Sequence, residues 1–284
     1  MREYKADGYS IREFDSLCEV ANFLEHTPDL YKYTMTQRDT LNRENDFFGV
    51  TSFDGILDRV RYGDKTQTEN FINELKDLDS YDELDTGIFR DVEGFAYDMG
   101  SVVNGEPECC LNFGSPEEKR TLTIYVDLAY AGIASSKDIN NRGFAIVKLI
   151  NTLIAKGYIL NLYVFEHSVT DDGGKYVEQI KIDTSTLAIS NIAYVCKCEF
   201  FRVVTWLLTA IHMKDKRYHG DSTADVPNPY IDGIRKRGGL YIAGGYGDHR
   251  LYHCHKEEAE EIIMEYYNKF VESKGGVKWT TTKK

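Results

Sequence analysis

Several features that mark whole classes of protein are missing from this sequence. It has no run approaching the roughly 18 consecutive apolar residues of a membrane helix. Met1 to Lys5 contain no apolar signal core, so we expect the protein to stay in the cytoplasm. Lysine and arginine number 34 against 46 aspartates and glutamates, a net charge of −12. Such an acidic surface argues against direct nucleic-acid binding and against a membrane partner.

The cysteines do not form the pattern of a disulfide-rich secreted protein. Residues 109 and 110 are adjacent and residues 196 and 198 are two apart, and such neighbours rarely reach disulfide geometry. We therefore expect reduced, mostly buried thiols. The six are Cys18, Cys109, Cys110, Cys196, Cys198 and Cys254.

No complete catalytic motif is found either. The glycines at 238–239 and 244–247 match neither a phosphate-binding P-loop nor a dinucleotide fingerprint. No G-x-S-x-G elbow presents a serine nucleophile. The motifs therefore give no reason to predict an enzyme or a cofactor.

Two places remain as weak candidates for a metal. His249, His253 and His255 include the spacing H-x3-H of part of a zinc site, but the matching C-x2-C is absent. Asp127 ends an apolar strand, where ligands bind in open α/β sheets. We predict no bound metal; the alternative is a metal-dependent hydrolase or nuclease that uses these four residues.

Hydrophobic periodicity divides the chain into four parts. We predict a mainly helical N-terminal region over 1–85, a β-hairpin or arm over 86–118, an α/β core over 119–275 and a flexible tail over 276–284.

In the first part, Ser16 and Glu19 form a capping box for a helix that Pro28 ends. Further helices are predicted over about 51–62 and 67–78. In the arm, Asn104-Gly105 predicts the turn of a hairpin.

The core begins with a strand over 121–128, a helix over 140–156 and a strand over 158–165. This is a βαβ unit, in which the strands are parallel. An antiparallel strand over 176–182, helices over 188–195 and 199–213, a strand over 240–243 and a helix over 256–272 complete it. The predicted fold is α/β, with a parallel-core sheet, an added hairpin and an N-terminal helical region.

The stretch VDLAYAG at 126–132, with the helix and strand that follow, resembles the Rossmann-like core of von Willebrand factor A domains. The resemblance implies a divalent cation held by the pattern D-x-S-x-S. Here Ala129 and Ala131 stand at the hydroxyl positions and cannot ligate. The resemblance therefore favours the fold and speaks against the metal, and we expect Asp127 to be a structural hydrogen-bonding residue.

Aromatic content indicates protein contacts. The chain has 20 tyrosines, and tyrosine is enriched at interfaces. We predict a homo-oligomer whose contact elements are the arm, with Phe95, Tyr97 and Met99, and the apolar helix with Phe200 and Trp206. A monomer that buries this helix is the alternative.

Four segments, 47–63, 105–113, 121–166 and the terminal strand–loop–helix, are similar to a family of bacteriophage proteins. Within that group the chain resembles the anti-defence class, in particular inhibitors of the Gabija system. The resemblance implies a non-enzymatic oligomer that inhibits a host nuclease complex by occlusion. A phage structural or assembly protein is a further alternative.

Overall fold

The computed structural model describes residues 1–28, 55–63, 88–91, 96–97, 99–106, 110–113, 121–130, 132–184, 189–213, 218–220 and 228–274. These residues form a mixed α/β protein with a seven-stranded and a three-stranded sheet. The larger sheet contains β1 (Arg2–Ala6), β2 (Tyr9–Phe14), β6 (Thr121–Asp127), β7 (Ile159–Thr170), β8 (Lys175–Ile182), β9 (Tyr218–Gly220) and β10 (Leu240–Ile242). The smaller contains β3 (Ile88–Asp91), β4 (Ala96–Tyr97) and β5 (Cys110–Phe113).

The α-helices are α1 (Leu17–Glu25), α2 (Ile56–Tyr62), α3 (Met99–Val103), α4 (Ser136–Ala155), α5 (Ile189–Val195), α6 (Trp206–Met213), α7 (Pro229–Lys236) and α8 (Lys256–Ser273). A π-helix spans Phe200–Thr205, and a 3-10 helix spans His249–Leu251. Among the described residues no helix is long and apolar enough to cross a membrane.

The predicted core unit is confirmed. β6 pairs parallel with β7, and α4 connects them. β7 pairs antiparallel with β8, and β10 pairs parallel with β6 on its other side. The strand order is therefore β1-β2-β8-β7-β6-β10, with β9 paired to β7. α4 begins four residues earlier than predicted, because Ser135 and Asp138 form its capping box.

The first 14 residues form a β-hairpin, which the prediction of a mainly helical region over 1–85 did not include. β1 and β2 pair antiparallel, and β2 continues the main sheet by pairing parallel with β8. Asp7-Gly8 is the turn, and both residues have positive φ, 54° and 83°. The dipeptide is a strong hairpin signal that the helical prediction overlooked. The capped helix α1 and the end of α2 at Gly63 are as predicted, and the helix predicted over 67–78 lies outside the described residues.

The arm also differs from its prediction. β5 lies between β3 and β4 in the small sheet, so the described part of 86–118 is not a two-stranded hairpin. Asn104-Gly105 follows α3 and ends it: the Gly105 N–H donates to the Val102 carbonyl at 3.1 Å. The dipeptide serves here as a helix terminator, because a glycine with φ of 69° reverses the chain equally well after a helix.

The two faces of the main sheet carry separate cores. The larger packs residues of α1, α4, α5, α6 and α8 against Phe14, Ile124 and Val164. The smaller packs α7 against the opposite face. α7 lies between the predicted helix over 199–213 and the predicted strand over 240–243, where the sequence analysis placed no element. Asn228 caps it and Pro229 is its first residue, which is a recognised start signal.

Candidate functional site

The crevice at the carboxyl ends of β6 and β10 is where an open α/β sheet would bind a ligand. It is filled by Arg142 of α4, which is 2% exposed. The Nη2 of this arginine donates to the carbonyls of Asp127 and Ala243, both at 2.7 Å. Its guanidinium carbon lies 5.6 Å from the centre of the Tyr130 ring. A cation supplied by the chain itself therefore occupies the centre of this crevice.

Asp127 lies at this edge as predicted and is 1% exposed. Its Oδ1 accepts from the Ala129 N–H at 2.9 Å, and its Oδ2 accepts from the Tyr241 hydroxyl at 3.2 Å. The Nδ1 of His167 lies 3.8 Å from Oδ2. The carboxylate therefore connects the start of the β6–α4 loop to Tyr241 of β10.

The three histidines of the C-terminal cluster have different surroundings. His249 stacks on Tyr252 with 5.7 Å between ring centres. The side chain of His253 is 81% exposed, with its Nδ1 3.8 Å from a carboxylate oxygen of Asp138. His255 caps α8. Within the part of the chain that the structure describes, no three His, Cys, Asp or Glu side chains are placed to hold a metal ion.

A second group of polar residues, missed by the sequence reasoning, lies between the sheet and α6. We call it the polar cluster; its members are Ser10, Arg12, Glu166, Glu178 and His212. His212 joins two of the others: its Nδ1 is 2.5 Å from Glu178 Oε1, and its Nε2 is 3.3 Å from Ser10 Oγ.

The carboxylates of the polar cluster are deeply buried. Glu178 and Glu166 face each other across the β7–β8 ladder and are 2% and 3% exposed. Burial is the main cause that raises the pKa of both, for Glu166 to about 8. Arg12 supplies a cation to the cluster, with its Nη1 3.9 Å from Glu178 Oε1. The cluster thus holds more buried negative charge than its single arginine can balance if both glutamates ionise.

The sequence did carry a signal for this cluster. Glu166 continues the alternation of Leu162 and Val164 on β7, and Glu178 precedes Ile180 and Ile182 on the same face of β8. A glutamate that continues the inward-facing side chains of an apolar strand is buried, and a buried charge needs a partner. The partner His212 lies on α6, however, and only the fold brings it there.

The residues predicted to make protein contacts lie in different surroundings. Phe200 is fully buried in the larger core and Trp206 is partly buried, so the monomer itself covers most of this helix. Tyr97 lies in β4 opposite Cys110, and Phe95 is outside the described residues. Met99 is on the short helix α3, where it is 65% exposed. Val102 and Val103 of the same helix are 41% and 81% exposed.

A family model described as a domain of unknown function (DUF7192) matches residues 4–270. The match runs from β1 to the last turns of α8 and so includes the crevice, the polar cluster and α3. No curated protein and no solved structure matches the chain.

Proposed function

The chain belongs to the DUF7192 family, and we propose that it is a phage-encoded binding protein that inhibits a host defence complex by occlusion. The partner we propose is the Gabija nuclease complex in the host cytoplasm. The observation that supports binding is the apolar face of α3, formed by Met99, Val102 and Val103.

These three side chains are exposed on a helix of only five residues. Ser101 of the same helix is 1% exposed, so one side of α3 is covered by protein while the other is left to solvent. Contiguous apolar groups exposed in this way are characteristic of interaction sites. Methionine is also enriched at the centres of protein interfaces.

The charge of the chain favours one kind of partner. A net charge of −12 attracts a basic surface and repels nucleic acid. A nuclease must present basic residues along its substrate groove, since it binds phosphates. An acidic protein anchored there by an apolar helix would exclude the substrate without performing any reaction. We propose that a homo-oligomer does this, because several copies cover a larger area.

We further propose that the core is related to von Willebrand factor A domains. The support is the strand order β8-β7-β6-β10. The parallel strands β7 and β6 of the βαβ unit lie in the middle, the antiparallel β8 lies next to β7, and the parallel β10 lies next to β6. The proposal concerns the fold alone, since Arg142 fills the crevice at which those domains bind their cation.

The experiment compares a double variant, Met99→Ser with Val103→Ser, with the control Ile133→Ser. Ile133 is 78% exposed on the β6–α4 loop, so the control removes a similar exposed apolar side chain elsewhere. Purified protein is mixed with the purified Gabija complex and followed by size-exclusion chromatography with light scattering. Plaque counts on Gabija-bearing cells measure inhibition.

We expect wild type and the Ile133 variant to co-elute with the complex and to restore plaques. The mass that they add to the complex should be a multiple of the 32.6 kDa of one chain. The double variant should lose both properties by at least about tenfold while its thermal unfolding is unchanged, because it removes only exposed groups. Equal binding by the double variant would refute the role of α3. Absence of binding by wild type would refute the proposed partner.

A further inference from the structure

A serine, a histidine and a carboxylate of the polar cluster are connected in series. Ser10 Oγ lies 3.3 Å from His212 Nε2, and Glu178 Oε1 lies 2.5 Å from His212 Nδ1. We propose that these residues form a catalytic triad for acyl transfer from carboxylic esters. Ser10 is the nucleophile, His212 the general base and Glu178 the positioning residue. The inference goes beyond the binding role and does not rest on α3.

The two nitrogens of the imidazole have different partners. The carboxylate of Glu178 accepts a hydrogen bond, so the proton of a neutral imidazole is held on Nδ1. The lone pair of Nε2 then faces the Ser10 hydroxyl, as a general base requires. The Tyr176 ring contacts the imidazole edge to face, at 5.0 Å between centres and 77° between planes. The tautomer and the ring plane are therefore both fixed.

Glu178 is placed to stabilise the imidazolium that forms when His212 takes a proton. Its side chain is 1% exposed, and among the described residues its second oxygen, Oε2, has no hydrogen-bond partner. A buried carboxylate with spare acceptor capacity gains most when its histidine becomes charged. The other charged groups near this pair are Arg12, Glu3 and Glu166.

Solvent accessibility increases from Glu178 through His212 to Ser10, so the proposed nucleophile is the member that a substrate can reach. Glu178 is buried, and the side chain of His212 is 6% exposed. Ser10 is the partly exposed member, on β2 beside Tyr176 of β8. The chain order Ser–Glu–His is no obstacle, because triads are defined by geometry and occur in several orders.

The reaction balances without any external reagent other than water. Ser10 Oγ forms a bond to the ester carbonyl carbon while its proton moves to His212 Nε2. The bond to the alcohol oxygen then breaks, and the alcohol leaves with that proton. Water repeats the same steps on the acyl-serine, releases the carboxylic acid and restores the Ser10 hydroxyl.

The test uses the full-length protein and a fluorophosphonate probe, which labels activated serines. The labelled residue is identified by mass spectrometry, and the labelling rate is measured from pH 5 to pH 9. The variants are Ser10→Ala, His212→Gln and Glu178→Gln. The control is Glu257→Gln, because Glu257 is exposed on α8 and is not a member of the polar cluster.

We expect wild type to be labelled at Ser10, no label at that site in the Ser10 variant, and a rate lower by about 100-fold in the His212 variant. The Glu178 variant should label at least about tenfold more slowly, with its pH midpoint shifted to lower pH, because the imidazolium loses its carboxylate. The Glu257 variant should label within about threefold of wild type. If Glu178 had only a structural role, Glu178→Gln would leave the pH midpoint of labelling unchanged.

Wild type alone can overturn the proposal, which matters if a variant fails to fold. If folded wild type is not labelled at Ser10 under conditions that label a known serine esterase, Ser10 is not an activated nucleophile. Labelling of Ser10 that is unchanged in a folded His212 variant would refute the triad in the same way.

Discussion

Glu166 is a buried acid whose protonation should have a large effect on stability. It lies on β7 opposite Glu178 and is 3% exposed. The Thr209 hydroxyl donates to its Oε2 at 3.5 Å. Burial raises its pKa from 4.5 to about 8, and the nearby carboxylates of Glu178 and Asp127 add to the rise. At neutral pH the folded protein therefore holds a proton that the unfolded chain has released.

The sign of the pH dependence follows from this difference. Between about pH 4.5 and pH 8 the folded state binds more protons, so the free energy of unfolding falls as pH rises. The contribution is complete below the unfolded pKa and is lost as pH passes through about 8. One pKa unit is worth about 1.4 kcal/mol, so the whole displacement corresponds to about 5 kcal/mol. Relaxation around the charged group reduces this, and we expect about 2–5 kcal/mol.

The assay compares urea unfolding of wild type and Glu166→Gln at several values between pH 5 and pH 9. Glutamine has the same shape and never ionises, so the variant should gain about 2–5 kcal/mol relative to wild type as pH rises. Glu257→Gln, on the exposed side of α8, is the matched control and should follow wild type in parallel. If the difference between wild type and the Glu166 variant is the same at every pH, the reasoning about its proton is wrong.

Two further predictions concern the contacts around α4 and β6. Gly143→Ala should destabilise the protein by about 1–3 kcal/mol in urea unfolding, because the alanine Cβ would lie 2.3 Å from the Cys196 carbonyl oxygen. We expect this clash to outweigh the better helix propensity of alanine. A gain in stability would contradict the packing of α4 on α5. Asp127→Ala should cost about 1–3 kcal/mol, since Tyr241 and the Ala129 N–H lose their acceptor. Its inhibition in the plaque assay should stay within a few-fold of wild type, and a folded variant without activity would show that Asp127 has a direct role.

The βαβ unit could be predicted because its signals are local. Two apolar strands enclose a helix with a capping box at its start and Gly157, with φ of 77°, at its end. Asp7-Gly8 and Asn228-Pro229 are equally local signals, but the sequence analysis used neither of them. The π-helix is different, because no local rule gives it. Its buried Arg202 reaches the Ala134 carbonyl at 2.6 Å, a contact that exists only in the folded protein.

The candidate sites also differ in whether a local sequence signal or only the folded structure reveals them. Asp127 was found because it directly follows an apolar strand. Ser10 and His212 are 202 residues apart in the chain, and β2, β8 and α6 must all be in place before they meet. The exposure of α3 depends on which side of the helix the rest of the chain covers, which alternation alone does not specify.

The close packing of the carboxyl edge gives an independent reason to look for function away from it. A Cβ at Gly244 would lie 2.3 Å from the Ala129 carbonyl oxygen, and a Cβ at Gly245 would lie 2.3 Å from the Tyr130 ring. The loops after β6 and β10 therefore touch through glycine, with Arg142 beneath them. A ligand at this edge would have to displace both the loop contacts and a buried guanidinium, and breaking such a buried charged contact costs several kcal/mol. Because neither α3 nor Ser10 needs this opening, both sites remain usable while the edge stays closed.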